Sequence, residues 1–292
     1  MKTSKIKWGI FLLMGFIVFT SFGPGKKKPV KAPNGYVFVP MGTCMIDSNK
    51  VTIQAFFMSK TEVTNKQYRT FLADLKASGD MEAYKKALPD TTKWQMDGNS
   101  YNQPMVELYF HHPAYDNYPV VNVSREGAEM YCQWLTKKYE AENGPQKCAF
   151  RLPQREEWIW AARGGLQLMP YPWGGPYLRN SKGCYLCNFR TLNERHITYN
   201  YEKQQYELVT EAAESFSEDG GFQTIITGHY APNNYGLFDM SGNVAEMVRQ
   251  NGIVVGGSWM SPGADVRIES VAPYTGPAPT VGFRPVMTYF GE

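Results

Sequence analysis

The chain has little net charge and no apolar run long enough to cross a membrane comfortably. The first feature argues against a nucleic-acid partner, and the second argues against a membrane-spanning helix. Its 30 Lys and Arg residues nearly balance 27 Asp and Glu, which leaves a formal net charge of +3 in 292 residues. So weak a positive charge gives no electrostatic footprint for a nucleic-acid partner. The apolar stretch Trp8–Phe19 is shorter than the roughly 20 residues of a membrane-spanning helix.

Metal-binding and nucleophilic motifs are scarce as well. The chain has four His and neither an HxxxH nor an HExxH motif. His111 and His112 are adjacent, and neighbours on a strand point to opposite faces, which argues against a two-His iron site. One CxxC occurs, without the second that a zinc site of four Cys needs. The sequence also contains no glycine-rich phosphate loop and no GxSxG.

The N-terminal residues are typical of an export signal. Lys2, Lys5 and Lys7 precede the apolar stretch, and Ser21–Gly23 supplies small residues at the spacing that signal peptidase favours. We expect a signal peptide over residues 1–23, with an uncleaved anchor as the alternative, and a linker over residues 24–35. The protein is then exported to the periplasm or the outer membrane. Membrane contact is expected only through an uncleaved leader or a partner.

Five cysteines follow the predicted signal peptide, and an oxidising compartment bears on their state. They are Cys44, Cys132, Cys148, Cys184 and Cys187. An odd count leaves at least one free or intermolecular thiol. For the Cys184–Cys187 pair we expect a local disulfide or buried thiols.

The remaining residues, 36–292, are expected to form one domain rich in loops. Aromatic residues make up 14% of the chain, beside 27 Gly and 19 Pro. A Thr64/Gln67 capping box, Ser124 and Pro153 predict the starts of three helices, the last ending at Arg163. The predicted strands are Tyr36–Pro40, Val51–Met58, Ile253–Val255 and Gly282–Thr288.

Seven phrases occur in order along the chain, and together they resemble the formylglycine-generating-enzyme (sulfatase-modifying-factor) domain over about residues 36–288. One phrase would be a weak signal, but seven in the same order are specific. They are Lys60–Thr64 with Tyr68, Tyr118–Ser124, Arg151–Trp158 with Ala161–Gly165, Tyr171–Gly174, Asn234–Glu246, Gly256–Trp259 and Gly282–Arg284.

The resemblance implies an α+β fold related to C-type lectins, with low regular secondary-structure content, and a structural calcium ion. Gly242 permits a tight turn, after which Asn243 and Glu246 can present hard oxygen ligands together with backbone carbonyls. Asn188 falls near a second calcium position of the family. The alternative is that Asn243 and Glu246 only hydrogen-bond the loop backbone.

The resemblance also bears on catalysis. The family enzyme uses two Cys thiolates, five residues apart and just after Gly-Gly-Ser-Trp/Tyr, to hold a copper ion. Soft thiolates suit Cu(I). Those positions here are Ser261 and Val266, and no Cys follows Cys187. We therefore expect no copper, and a protein that binds partners rather than catalyses.

Trp259 and Arg284 are the candidate ligand-contacting residues. Arg284, Arg151 and Glu157 have a second interpretation, as buried or half-buried ion pairs that lock loops, because a guanidinium meets a carboxylate through two bonds at once.

Within the family, three segments look like the gliding-motility and type IX secretion components of Bacteroidota. They are Tyr109–Val121, Lys182–Phe189 and Ala231–Glu246. The first hypothesis is thus a non-catalytic envelope protein that binds protein partners, with aromatics of Tyr109–Tyr118 and Tyr171–Trp173 as the interface or as loop packing. The alternatives are an active formylglycine-generating oxidase acting on sulfatases, with thiolates from Cys184 and Cys187, and a calcium-dependent glycan- or ligand-binding module.

Overall fold

The computed structural model describes residues 32–96, 102–144, 148–191, 197–208, 221 and 223–290. The chain from Ala32 onward forms one compact unit. The predicted signal peptide, residues 24–31 of the predicted linker and residues 209–220 lie outside the described residues. No helix within the described ranges is long and apolar enough to cross a bilayer.

A four-stranded antiparallel sheet joins the two ends of the domain. Its strand order is β1 (Tyr36–Val39), β4 (Phe56–Ser59), β12 (Val286–Tyr289) and β5 (Cys148–Arg151). Strand β4 lies inside the sheet and buries three consecutive residues, Phe56, Phe57 and Met58. Successive side chains of a strand point to opposite faces, so both faces of β4 are covered.

The prediction of one strand over Val51–Met58 is wrong. The chain forms β3 (Asn49–Ile53) and then β4, with Gln54 and Ala55 between them. Strand β3 pairs only with β2 (Gly42–Ile46) in a hairpin, whereas β4 belongs to the four-stranded sheet. An apolar run carries no signal for the point at which a chain changes sheet, which is why the sequence predicts one strand.

A second four-stranded sheet has the order β10 (Val271–Pro273), β9 (Ile253–Val255), β8 (Ala245–Met247) and β11 (Val281–Gly282). Strand β9 confirms its prediction, and β11 runs parallel to β8. The predicted strand Gly282–Thr288 is wrong as one element, because β11 ends at Gly282 and β12 begins at Val286. Phe283–Pro285 carries the chain from one sheet to the other.

The three predicted helices are present with their predicted starts. Helix α1 (Asn65–Ala77) begins with the reciprocal Thr64–Gln67 capping box, α4 (Arg125–Asn143) is capped by Ser124, and α5 (Arg155–Arg163) follows Gln154. Gly164 ends α5 in the left-handed conformation, with φ of 57°, which glycine adopts without penalty. The helices α2 (Met81–Ala87) and α3 (Gln103–Leu108) were not predicted.

Long irregular segments fill the rest of the domain, as expected. Residues 164–191 and 223–244 contain no helix or strand, and a β6–β7 hairpin (Ile197–Asn200, Gln205–Leu208) lies between them. Apolar packing holds these loops, because Leu237 and Met240 of the second segment lie in the main core with Trp158 and Trp160 of α5. Trp94, Tyr109 and Trp259 form a second cluster.

Candidate functional site

The segment Asp239–Glu246 is pressed against two other loops by its backbone. Gly242 has φ of 79°, and a Cβ there would lie 2.1 Å from the Asn188 carbonyl oxygen, so no side chain fits. The Gly242 N–H donates to the Gly256 carbonyl, and the Asn243 N–H donates to the Asn188 carbonyl, each over 2.8 Å. The sequence therefore places a glycine where the loop touches its neighbour.

The two positions that correspond to the copper-binding cysteines are occupied by a turn and by core packing. The Ser261 hydroxyl accepts from the Ser258 N–H over 3.0 Å, which closes a tight turn after Trp259. Val266 is fully buried in a cluster with Tyr171, Cys187 and Phe189. A hydroxyl and an isopropyl group are not ligands that Cu(I) selects, so these two residues do not fit the ion.

The neighbouring sulfurs do not replace that pair. Cys187 is buried in the Val266 cluster, whereas Cys184 is exposed and lines a separate cavity. Of the two expected states, burial is found for Cys187 but not for Cys184, which is exposed, and a local disulfide between them stays a prediction. Among the described residues, no group of three His, Cys, Asp or Glu side chains is close enough to hold a metal.

Arg284 lies at the centre of the molecule and is completely buried. Its Nη2 and Nε donate to Glu246 Oε1 over 2.7 and 2.9 Å, and Trp158 Nε1 donates to Glu246 Oε2 over 2.8 Å. The remaining donors reach the carbonyls of Lys60 over 3.1 Å and Phe238 over 2.8 Å. The guanidinium is thus consumed by the fold.

The role of Trp259 and Arg284 as ligand-contacting residues is therefore not supported. Trp259 is 5% exposed, and its Nε1 donates to the Pro279 carbonyl over 3.2 Å. The alternative interpretation of the arginines is confirmed, because Arg284 pairs with Glu246. Arg151 also forms a two-pronged pair with Glu157, with both bonds at 2.7 Å.

Two further carboxylates surround the same guanidinium, and sequence reasoning missed both. Glu62 is fully buried and Asp239 is 7% exposed. Glu62 Oε1 accepts from Asn243 Nδ2 over 2.9 Å, and Asp239 Oδ2 accepts from the Gly228 N–H over 2.5 Å. The second oxygen of each, Glu62 Oε2 and Asp239 Oδ1, has no hydrogen-bond partner. Three carboxylates therefore share one arginine inside the protein.

The surplus of carboxylates changes their protonation. Burial raises the pKa of Glu62 well above its ordinary value, the charge of Asp239 raises it further, and Arg284 only partly offsets the two. Burial also raises the pKa of Asp239, against the hydrogen bond from Gly228 and the charge of Arg284. The charged form of a buried carboxyl is disfavoured when its positive partner is shared.

The predicted calcium ligands fit the ion only in part. Both ends of the Asn243 amide are engaged, since Oδ1 accepts from the Ile225 N–H over 2.9 Å while Nδ2 donates to Glu62. Glu246 is held by Arg284 and Trp158. The oxygen in this segment that has free lone pairs belongs to Asp239. A hard cation here would be held through Asp239 rather than through Asn243.

Asn188, the residue predicted near a second calcium position, is buried. Its Nδ2 donates to the Gln223 carbonyl over 2.6 Å, and its own carbonyl accepts from Asn243. Asn188 therefore links the 223 region to the Gly242 turn.

The aromatics predicted as an interface are mostly packed inside. Tyr109 is 1% exposed and Tyr171 is 4% exposed, while Tyr115 and Tyr118 pack against the Trp94 cluster. Loop packing, the alternative, is the role of these four tyrosines.

These loops match a known family over almost the whole chain. The family model described as the sulfatase-modifying factor enzyme 1-like domain covers residues 21–289. The chain belongs to this family.

Curated relatives of this sulfatase-modifying-factor domain include both inactive and active proteins by name. The chain is 28% identical over 217 residues to inactive C-alpha-formylglycine-generating enzyme 2 of Mus musculus, across 68% of this chain and 59% of that relative. It is 26% identical over 220 residues to formylglycine-generating enzyme of Mus musculus, across 68% and 50%. The chain thus spans between half and three-fifths of these relatives' length.

Two solved structures share the fold of this family member. CarF has a TM-score of 0.54 at 20% identity, over 87% of this chain and 98% of that chain. PvdO from Pseudomonas aeruginosa has a TM-score of 0.57 at 20% identity, over 86% and 93%. The predicted formylglycine-generating-enzyme fold is confirmed.

The buried Glu62 carboxyl generates a pH prediction for this domain. Because its folded pKa is raised, the folded state holds the proton more tightly than the unfolded state. That stability is fully present below the ordinary pKa of 4.5 and is lost as the pH rises toward the folded pKa, by about 1.4 kcal/mol per pH unit at most. We expect Glu62→Gln to lack this loss, measured as the free energy of unfolding in urea between pH 4.5 and 8.

The exposed Glu82→Gln variant is the control and should follow the wild type. Equal pH slopes for Glu62→Gln and the wild type would contradict the prediction.

Proposed function

We propose that this protein is a non-catalytic member of the sulfatase-modifying-factor family, exported to the cell envelope, where it binds protein partners in a type IX secretion or gliding-motility assembly. The observation that carries the first part is the pair Ser261 and Val266 at the copper positions. The likeness of Tyr109–Val121 and Ala231–Glu246 to gliding and secretion components supports the second part.

The packing around Val266 supports the absence of catalysis beyond the loss of a ligand. The Val266 side chain is fully buried, and the Val266 backbone carbonyl accepts from the Ser241 hydroxyl over 2.7 Å. An apolar cluster therefore occupies the second of the two copper positions. The family includes a mouse protein named as an inactive formylglycine-generating enzyme, so loss of activity has a precedent among relatives.

Partner binding has suitable surface outside the predicted segments. Tyr177, Tyr201 and Tyr206 are each at least 75% exposed. Tyr199 packs edge-on against Tyr201 and Tyr206 on the β6–β7 hairpin, with ring centroids 5.1 and 5.0 Å apart. Exposed aromatic side chains dominate the binding energy of many protein interfaces.

A structural calcium ion is proposed alongside this function, held through Asp239 with backbone carbonyls of its loop. The ion would neutralise the surplus negative charge beside Arg284 and so stabilise the fold, with no part in a reaction. The unpartnered Asp239 Oδ1 supports the proposal.

Catalytic inactivity predicts a difference between the natural chain and a chain with the thiolate pair restored. The wild type should bind no Cu(I) and form no formylglycine from a sulfatase-motif peptide under copper and oxygen, because it lacks the thiolates. The double variant Ser261→Cys and Val266→Cys should gain Cu(I) binding. Mass spectrometry of the peptide and a competition assay for Cu(I) check both.

The single variant Ser261→Cys is the matched control, and one thiolate should bind Cu(I) far more weakly than two. Turnover by the wild type that disappears in Cys184→Ser would overturn the proposal in favour of an active oxidase.

The calcium ion is tested by thermal unfolding in CaCl2 and in EDTA. The wild type should be more stable in CaCl2, by about 2.7 kcal/mol when calcium is at 100 times its Kd. Asp239→Ala should lose that response, while Asp265→Ala, with an exposed carboxylate, should keep it. A wild type that unfolds at one temperature in both buffers contradicts the ion.

Partner binding is tested by cross-linking in native envelopes. The protein should be recovered in a complex with secretion or gliding components, identified by mass spectrometry. Recovery as a lone soluble monomer would count against it.

A further inference from the structure

Two neighbouring cavities share the Tyr185 side chain. The first has a volume of about 350 Å³ and is lined by Trp173, Tyr185, Tyr230 and two prolines, among others. The second has a volume of about 420 Å³ and is lined by Tyr177, Leu178, Phe189 and the same Tyr185. Both volumes lie in the range of ligand pockets, and the site described above uses neither.

The aromatic walls are held rigidly. Trp173 stacks on Tyr171, with centroids 4.9 Å apart and planes within 6°, and its Nε1 donates to the Tyr177 carbonyl over 2.8 Å. One face and the polar edge of the indole are therefore occupied. Tyr185 is covered by the Arg179 guanidinium at 3.9 Å and packs edge-on against Phe189. Rigid rings lose little entropy when a ligand binds.

The amide oxygens of Asn180 and Asn233 in the first cavity already accept internal hydrogen bonds. Asn180 Oδ1 accepts from the N–H groups of Lys182 and Cys184 over 2.9 and 3.1 Å. Asn233 Nδ2 donates to the carbonyls of Ala161 and Ala162, and its Oδ1 accepts from two further N–H groups. A glycan would need such groups for its hydroxyls, so the lining favours a ligand with few hydrogen-bond donors.

The charge of the lining narrows the ligand further. Arg179 is a cation, and no Asp or Glu is among the described residues that line either cavity. A neutral or acidic occupant is complementary to this lining, and a basic one is not.

We propose that the two cavities are a docking site for a proline-containing, non-basic extended segment of a partner protein. Proline has no N–H and packs its ring on aromatic faces, as in other aromatic-lined grooves. In a polyproline II helix every third residue returns to the same side after about 9 Å. Such a segment can place one ring in each of the two cavities that share Tyr185. The inference deepens the partner binding proposed above and depends on it.

The test is fluorescence polarisation with a labelled decaproline flanked by glutamates, titrated with the full chain. The wild type should bind it, and a lysine-flanked decaproline should bind about tenfold more weakly. Trp173→Ala should weaken binding about tenfold or more. Since Trp173→Ala removes a packed ring, Ala231→Glu is the second variant: Ala231 is exposed, and a carboxylate there should repel the acidic peptide.

Phe38→Ala is the matched control, because Phe38 is an exposed aromatic side chain that lines neither cavity, and the variant should bind the peptide like the wild type. Failure of the wild type to bind the peptide would overturn the inference, as would binding of chitohexaose in its place. Equal binding by Ala231→Glu or by the lysine-flanked peptide would overturn the proposed charge preference. Capture of a native partner that is unaffected by Trp173→Ala would overturn this site while leaving partner binding intact.

Discussion

The buried ion pair between Arg284 and Glu246 is the interaction on which the rest of this domain depends. Arg284 lies in the segment that connects the two sheets, and Glu246 lies in β8, an inner strand of the second sheet. The same guanidinium also binds the carbonyls of Lys60 and Phe238, so three positions of the chain meet on one group. Removing one partner of such a pair costs about 3–5 kcal/mol, because the other charge stays buried. Glu62 and Asp239 place two more carboxylates near this guanidinium, beyond the one that it pairs with.

The same constraint explains why the site keeps its shape without a copper ligand pair. Glu246 ends the loop in which Gly242 touches Asn188, and Ser241 in that loop holds the carbonyl of Val266. Hydrogen bonds and apolar packing therefore fix the 258–266 loop. Ser261 and Val266 therefore take part in the fold at the two copper positions.

The sequence predicted the local features of this fold and missed the non-local ones. The Thr64–Gln67 box and the Gly164 helix end depend on residues a few positions apart, and both were found. The division of Val51–Met58 between two sheets depends on which distant strand pairs with each half. Glu62 belongs to no local sequence pattern, because its hydrogen-bond partner Asn243 lies 181 positions away. The seven ordered family phrases predicted the fold of the segments in which hydrophobic periodicity gives no signal.

The partner binding that we propose can use only the side-chain groups that internal hydrogen bonds do not already engage. The amides of Asn233 and Asn243 and the guanidinium of Arg284 are engaged in internal hydrogen bonds. Their loss to the interior is what allows long loops to be rigid without helices or strands, since buried polar groups must be satisfied. In the partner binding that we propose, recognition depends on aromatic rings at the surface, which the same loop packing holds. The packing of the long loops thus both orders the interior and determines which side chains remain at the surface.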